Sequence, residues 1–275
     1  MPIKPLLEFR HPDFATIAAQ VDIFDYLDNI NGTVARKVEN RETLRFELNG
    51  EVYYRKFHKG VGWAEIGKNW LRLRAPIVGA SNEWHALNRL QALGVDSLTP
   101  VAFGVKGINP ANQESFLVTR ELVDTIKLHE LLQNRALYES LSYKKRCSIT
   151  RRVAEIAKSL HHAGINHRDF YFCHFLIAAS SLREDTPIKI HLVDLHRAQI
   201  RRKVPTRWLV KDIGSLHFSS RDLGVSAKEY LRFLSIYFGG SLRDILSSSL
   251  MKKIQARSNS LYSREERLRA RGLRP

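Results

Sequence analysis

The sequence predicts an α+β protein of two lobes, a small antiparallel sheet with one helix followed by a mainly helical half. Three observations carry this expectation. The stretch TLRFELNGEVYYRKF is a pair of alternating runs around Asn49-Gly50, the dipeptide best suited to the positive φ angles of a tight hairpin. The stretch NEWHALNRLQAL repeats its apolar positions at helical spacing. From Tyr143 the texture changes to a long amphipathic segment followed by short apolar runs.

With 275 residues the chain is long enough to bury two modest cores. Its 44 Lys and Arg face 28 Asp and Glu, a net charge of +16. An anionic partner is therefore expected, whether nucleic acid, a membrane surface, an acidic protein or a phosphorylated substrate. Cys147 and Cys173 lack metal-ligand spacing and are expected to stay reduced. No run of signal-peptide character opens the chain, and none approaches the ~18 apolar residues of a membrane span. An intracellular protein, soluble or peripheral to a membrane, is the expectation.

The elements follow in order. In the second strand of the hairpin Val52, Tyr54 and Lys56 share one face, which places Lys56 beside apolar neighbours. Glu83, Leu87 and Leu90 lie one turn apart on a helix that Gly94 would stop, so Glu83 rides on or beside the inward stripe. Strands near Val101–Val105 and Phe116–Arg120 complete the sheet. Between Tyr143 and His162 the residues Ile149, Val153, Ile156, Ala157 and Leu160 form an apolar face that ends at Gly164. Then come His167-Arg168-Asp169, an apolar run from Phe170 to Ala178, a polar loop, and IKIHLVD. Asp169 opens the first run and Asp194 closes the second, so a hairpin would bring both carboxylates to one mouth. The tail, 251–275, has eight Lys and Arg against two Glu and reads equally as a basic helix or a disordered arm. The expected divisions are an N-terminal extension at 1–30, a first lobe with its hinge at 31–122, a second lobe at 123–250, and that tail.

Each of these polar residues has a bland reading as a solvated side chain. Their order is more specific. Strand lysine, helix glutamate, connecting segment, amphipathic helix, HRD loop, hairpin and terminal aspartate follow one another as in the protein-kinase fold. Phosphoryl transfer needs a cation on the nucleotide phosphates, a carboxylate to orient the attacking hydroxyl and another to hold magnesium. Lys56 paired with Glu83, then Asp169, then Asp194 supply these in turn.

The strings GINHRDFYFCHFL, HLVDLHRAQIRRKVPTRW and KDIGSLHFSS, with ENRETLRFELNGEVYYRKFHKG and RLRAPIVGASNEWHAL upstream, closely resemble the lipopolysaccharide core heptose(I) kinases of Gram-negative bacteria. The resemblance spans roughly Asn31 to Ser249. It implies a protein-kinase-like fold, ATP and Mg2+ as cofactors, and transfer to the 4-hydroxyl of the first inner-core heptose. Mapped by motif, it implies that Asp169 is the catalytic base, that Asp194 holds the metal, and that Lys56 and Glu83 hold the phosphates. It further implies work on a glycolipid at the cytoplasmic leaflet of the inner membrane, and association with acyl carrier protein.

Several positions depart from ordinary protein kinases. The place of the second metal-binding Asn is His174, an unusual ligand for magnesium; metal binding, phosphate contact and ordering of the loop all stay open for it. No glycine-rich loop precedes Thr43. Arg41 or nearby backbone amides are candidates to cover the phosphates, beside the reading of a solvated turn. Glu121 and Leu122 fall at the connection between lobes, where main-chain groups would meet adenine. Among Arg197, Arg201, Arg202, Lys203 and Arg207, the pair Arg201 and Arg202 is assigned to acceptor anions, against a general attraction to anionic lipid.

Two other readings compete with the sugar kinase. One keeps the machinery but takes another sugar, an aminoglycoside or a protein tyrosine. The other is a basic binding protein without turnover. The joint presence of Lys56, Glu83, Asp169 and Asp194 argues against the latter, and no aromatic-interleaved basic strand marks a nucleic-acid platform.

Overall fold

The computed structural model describes residues 4–38, 40–60, 62–63 and 79–273. Residues 72–78 of the upstream family string and Glu39 of the turn before Thr43 lie outside them. The chain forms two compact units: Met1–Arg89 with Leu98–Val123, and Leu90–Ser97 with Asp124–Pro275.

The first unit is built on a six-stranded antiparallel sheet. Its strands are β1 (Leu6–Phe9), β2 (Thr33–Val38), β3 (Arg41–Leu48), β4 (Glu51–His58), β5 (Pro100–Lys106) and β6 (Glu114–Arg120), in the order β1-β5-β6-β4-β3-β2. The β3–β4 hairpin turns at Asn49 and Gly50, with φ of 52° and 80°, as the dipeptide predicts. Along β4 the buried positions are Tyr53, Arg55, Phe57 and the terminal His58. Val52, Tyr54 and Lys56 do share a face, but it is the half-buried one. The fully buried Arg55 donates to the Leu27 carbonyl and to Glu42.

Helices cover both faces of this sheet, where the sequence suggested one. Helices α1 (Pro12–Gln20) and α2 (Ile23–Asn29) supply Phe14, Phe24 and Leu27 to a core with Phe46, Tyr53, Phe57 and Phe116. On the other face α3 (Ser81–Ala92) stacks Trp84 on Phe103 of β5, with ring centroids 5.1 Å apart. Residues 6–29, expected as an extension, thus contribute a strand and two helices to the first unit.

The second unit is mainly helical. It opens with β7 (Thr125–Lys127), α4 (Leu128–Gln133), α5 (Arg135–Ser140) and the long α6 (Tyr143–His162). Helix α6 starts where the Ser142 hydroxyl accepts the Lys145 N–H. It buries Ile149, Val153, Ile156, Ala157 and Leu160, the predicted stripe. Strands β8 (Ile165–Asn166), β9 (Phe175–Ala178), β10 (Ile190–Leu192) and β11 (Gln199–Ile200) follow. The predicted hairpin is β9–β10, paired Phe175 to Leu192 and Ile177 to Ile190. Its polar loop is gathered by buried Lys145, whose ammonium donates to the carbonyls of Ser181, Arg183 and Thr186. The first apolar run is only partly strand, because residues 172–174 form a tight helical turn before β9.

Four helices complete the unit: α7 (Thr206–Arg221), α8 (Ala227–Phe238), α9 (Leu242–Ser247) and α10 (Ser249–Ala270). Of the two readings of the tail, the structure takes the helix. Met251, Ile254 and Ser258 of α10 are fully buried. A Cβ on Gly214 of α7 would lie 2.6 Å from the Arg257 side chain and 3.3 Å from the Ile254 carbonyl, so the helices approach closely at this glycine. Removing residues after Leu250 would uncover this contact. The Ile254→Ala variant is expected to lose about 2–5 kcal/mol of unfolding free energy, read as a lower denaturation midpoint; an unchanged midpoint would mean that α10 adds nothing to the core.

Candidate active site

In the second unit the segment between β8 and β9 is a short loop held from below. Asp212 of α7, fully buried, accepts the His167 N–H at 2.6 Å through one oxygen and the Arg168 N–H at 2.8 Å through the other. A buried carboxylate is costly unless donors satisfy it, and these two main-chain amides do so. The His161 ring of α6 lies 3.3 Å from the same carboxylate and 2.5 Å from the Tyr237 hydroxyl of α8. His167 is buried, and its Nε2 donates to the Val193 carbonyl at 3.0 Å. Burial pushes the pKa of its ring down, against the attraction of Asp212.

At Arg168 the backbone turns into the left-handed region, φ 75°, an uncommon conformation for a side-chain-bearing residue. The turn is followed by Asp169. One guanidinium nitrogen of Arg197 donates to both Asp169 oxygens, each at 2.9 Å. His174 ties this segment to the strand end. Its Nδ1 donates to the Asp169 carbonyl at 2.7 Å, and its Nε2 lies 3.3 Å from Asp194 Oδ2. Asp194, also left-handed at φ 63°, meets His196 Nδ1 through its other oxygen. A single imidazole therefore links the main chain of Asp169 to the carboxylate of Asp194.

That geometry bears on His174. Burial disfavours the charged ring, yet the Cys173 side chain, the Asp169 carbonyl and Asp194 outweigh it and raise the pKa to about 9. With Nδ1 spent on a carbonyl and Nε2 facing a carboxylate, His174 acts as a strut between the two aspartates. Of the readings left open for it, ordering of the loop is the one these contacts serve. Magnesium usually binds one or two carboxylates plus phosphates and water, and Asp194 fits that role without His174.

The remaining residues fall in different places. In the first unit Lys56 Nζ lies 2.5 Å from Glu83 Oε1, and Glu83 is buried at the start of α3. Arg41 begins β3 opposite His58. Glu121 follows β6; its N–H donates to the Val52 carbonyl, and its carboxylate takes two bonds from Arg45 at 2.7 and 2.9 Å. Leu122 is half-buried beside it. In the second unit the basic cluster divides. Arg201 is turned inward, donating to Asn166 at 2.6 Å and Gln199 at 2.7 Å, so the structure gives it a bracing task at the β8–β11 pair in place of the expected anion contact. Its carbonyl would lie 1.7 Å from a Cβ on Gly164, where φ is 77°; only glycine fits there. Arg202 and Lys203 are exposed.

Sequence reasoning did not single out Asp212, nor Arg197 as the partner of Asp169. The string KDIGSLHFSS contained Asp212, but its partners are main-chain amides, which no residue pattern reveals. Among the described residues no helix is long and apolar enough to cross a membrane.

Residues 27–237 match the lipopolysaccharide kinase (Kdo/WaaP) family. The chain is similar to the lipopolysaccharide core heptose(I) kinase WaaP of Escherichia coli K12, with 42% identity over 95% of this chain and 99% of that protein. The enzyme of the same description from Pseudomonas aeruginosa is 40% identical over 90% of this chain and 92% of its own length. Among solved structures, WaaP in complex with acyl carrier protein superposes with a TM-score of 0.78 at 34% identity, covering 94% of this chain and 99% of that one.

Two measurements check the loop's support. In Asp212→Ala, hydrogen exchange at the amides of His167 and Arg168 is expected to accelerate, with a loss of about 1–3 kcal/mol per donor left unpaired; protection equal to wild type would show that Asp212 does not hold the loop. For His167 the folded pKa is depressed, so its contribution is present above the unfolded value near 6.5 and is lost as pH falls toward the folded pKa. Unfolding free energy should therefore drop on acidification below about pH 6.5, with a shallower slope in His167→Gln; parallel slopes would refute this.

Proposed function

Because this chain belongs to the lipopolysaccharide kinase (Kdo/WaaP) family, we propose that it is an ATP-dependent kinase acting on the 4-hydroxyl of the first heptose of the lipopolysaccharide inner core. The observation that carries this reading is the rigid mounting of Asp169, braced below by Asp212 and flanked by Arg197 and His174.

Asp169 orients the heptose hydroxyl and accepts its proton as the oxygen bonds to the γ-phosphorus. The bond to the bridging β-phosphate oxygen breaks, and ADP leaves with that electron pair. Arg197, donating to both Asp169 oxygens, offsets the carboxylate's charge as the nucleotide phosphates approach. Lys56, aligned by Glu83, holds phosphate oxygens. Arg41 and backbone amides near β3 cover the phosphates in place of a glycine-rich loop, and the main chain at Glu121 and Leu122 meets adenine. Asp194 would hold Mg2+, which neutralises phosphate charge when bound. Arg202 is left to meet acceptor anions.

The acceptor is a membrane glycolipid, so the protein works peripherally at the cytoplasmic leaflet of the inner membrane. Acyl carrier protein is its proposed partner, supported by the +16 charge and by the related complex.

The test is phosphate transfer from ATP to heptose-containing core glycolipid lacking phosphate. Asp169→Ala should lower kcat by about 10³-fold or more while ATP still binds, and Lys56→Met should raise the KM for ATP. Folded wild-type protein that binds ATP but never phosphorylates this acceptor would sink the assignment.

A further inference from the structure

The catalytic loop and α7 gather three cations around one indole. The Arg168 guanidinium lies 5.0 Å from the Trp208 ring centroid, that of Arg207 5.2 Å, and the Lys211 ammonium 5.5 Å. We propose that Arg168, Arg207 and Lys211, set around Trp208, bind a carboxylate carried by the acceptor glycolipid and so fix the acceptor beside Asp169. This rests on the kinase reading and names the feature of the acceptor that the site selects.

Three like charges around one ring repel, and a cation–π contact of about 0.5–1 kcal/mol at an exposed site is a weak return for assembling them. Neutralisation from within the unit is limited. Asp169 already receives Arg197 through both oxygens, and Asp212 is spent on two main-chain amides. Among the described residues none of the three cations makes an ion pair. Lys211 registers this crowding: burial first, then Arg197 and Arg168, push its pKa down to about 8 against the pull of Asp169.

The cluster also presents donors. Trp208 Nε1 and Arg168 Nε are buried atoms without a hydrogen-bond partner among the described residues, the kind of group that needs an explanation in a folded protein. Two N–H donors with three cations suit a two-oxygen anion. Position decides whose anion it is. Arg168 directly precedes Asp169, and Lys211 feels Asp169 as its strongest charged neighbour. An anion held here sits with the group whose hydroxyl gives its proton to Asp169, on the acceptor, while Lys56 and Asp194 serve the nucleotide.

The experiment compares two acceptors, the inner-core glycolipid with its sugar carboxylates intact and the same glycolipid with them reduced to alcohols. Arg207→Ala and Lys211→Met are assayed beside wild type; Arg207 is exposed, so its variant should fold. Loss of one charge-assisted contact should raise the KM for the intact acceptor about tenfold or more, with kcat and the KM for ATP within about twofold. Wild type should show a comparable penalty on the reduced acceptor, and the variants little beyond it. Equal losses on both acceptors would overturn the carboxylate assignment, and a raised KM for ATP would give the cations to the nucleotide instead. A second readout needs no turnover: the intact glycolipid should change Trp208 fluorescence, judged against Trp208→Phe, and the reduced one should not. If wild type phosphorylates neither glycolipid, the kinase reading itself fails, and a carboxylate-dependent fluorescence change would then show the anion site alone to be real.

Discussion

The carboxylate of Asp212 is the constraint on which the site depends. It is fully buried, so its charge is tolerable only because donors surround it. Two of these are the main-chain amides of His167 and Arg168, and the His161 ring, linked to Tyr237, approaches the same oxygen that accepts the His167 N–H. Helices α6, α7 and α8 thus all bear on one loop. A side chain grips main chain here, so the loop's shape is fixed whatever side chains it displays. Asp169 owes its orientation to this grip.

The same grip explains where the backbone is strained. Among the described side-chain-bearing residues Asn49, Asp124, Arg168 and Asp194 lie in the left-handed region, and the last two, at a cost of order 1 kcal/mol or more each, belong to this site. Neither is at a hairpin turn, where such angles are ordinary. Arg168 is held by its N–H bond to Asp212, and Asp194 lies between His174 and His196. Arg168 directly precedes Asp169, and His174 joins the Asp169 carbonyl to the Asp194 carboxylate.

The parts of the fold legible in the sequence were those with a local signal. Asn49-Gly50 marks its turn, the α6 stripe is long and regular, and the faces that carry Lys56 and Glu83 follow from strand and helix periods that a reader can count, their pairing from the order of parts in the kinase fold. Other parts had none. Phe14, Phe24 and Leu27 lie on two short helices, too brief for a period to stand out, yet they fill the sheet's core. Arg55 occupies a buried strand position that alternation would give to an apolar residue, because Glu42 and the Leu27 carbonyl receive its charge. Helix α10 buries only Met251, Ile254 and Ser258, a face too thin to distinguish from a disordered basic arm. Asp212 acts on a loop more than forty residues earlier, on atoms every residue possesses.

The net charge of +16 also changes meaning once its members are placed. Arg55 and Lys145 are internal struts on carbonyls and a carboxylate, and Arg201 braces the β8–β11 pair. Arg197 is paired with Asp169. Such residues attract nothing from solution, so total charge overstates how strongly the surface recruits anions. What they do instead is local. A kinase of an anionic glycolipid must bring a carboxylate base, a polyphosphate and an acidic acceptor together, and each pair among these repels. At an effective dielectric constant of 20 two unit charges 4 Å apart interact by about 4 kcal/mol, enough to forbid the encounter if nothing opposed it. On the reading proposed above, Arg197 on Asp169 and the cations around Trp208 oppose it on the acceptor side, as Lys56 would for the phosphates. The basic character of the chain is therefore a requirement of its chemistry before it is an affinity for any partner.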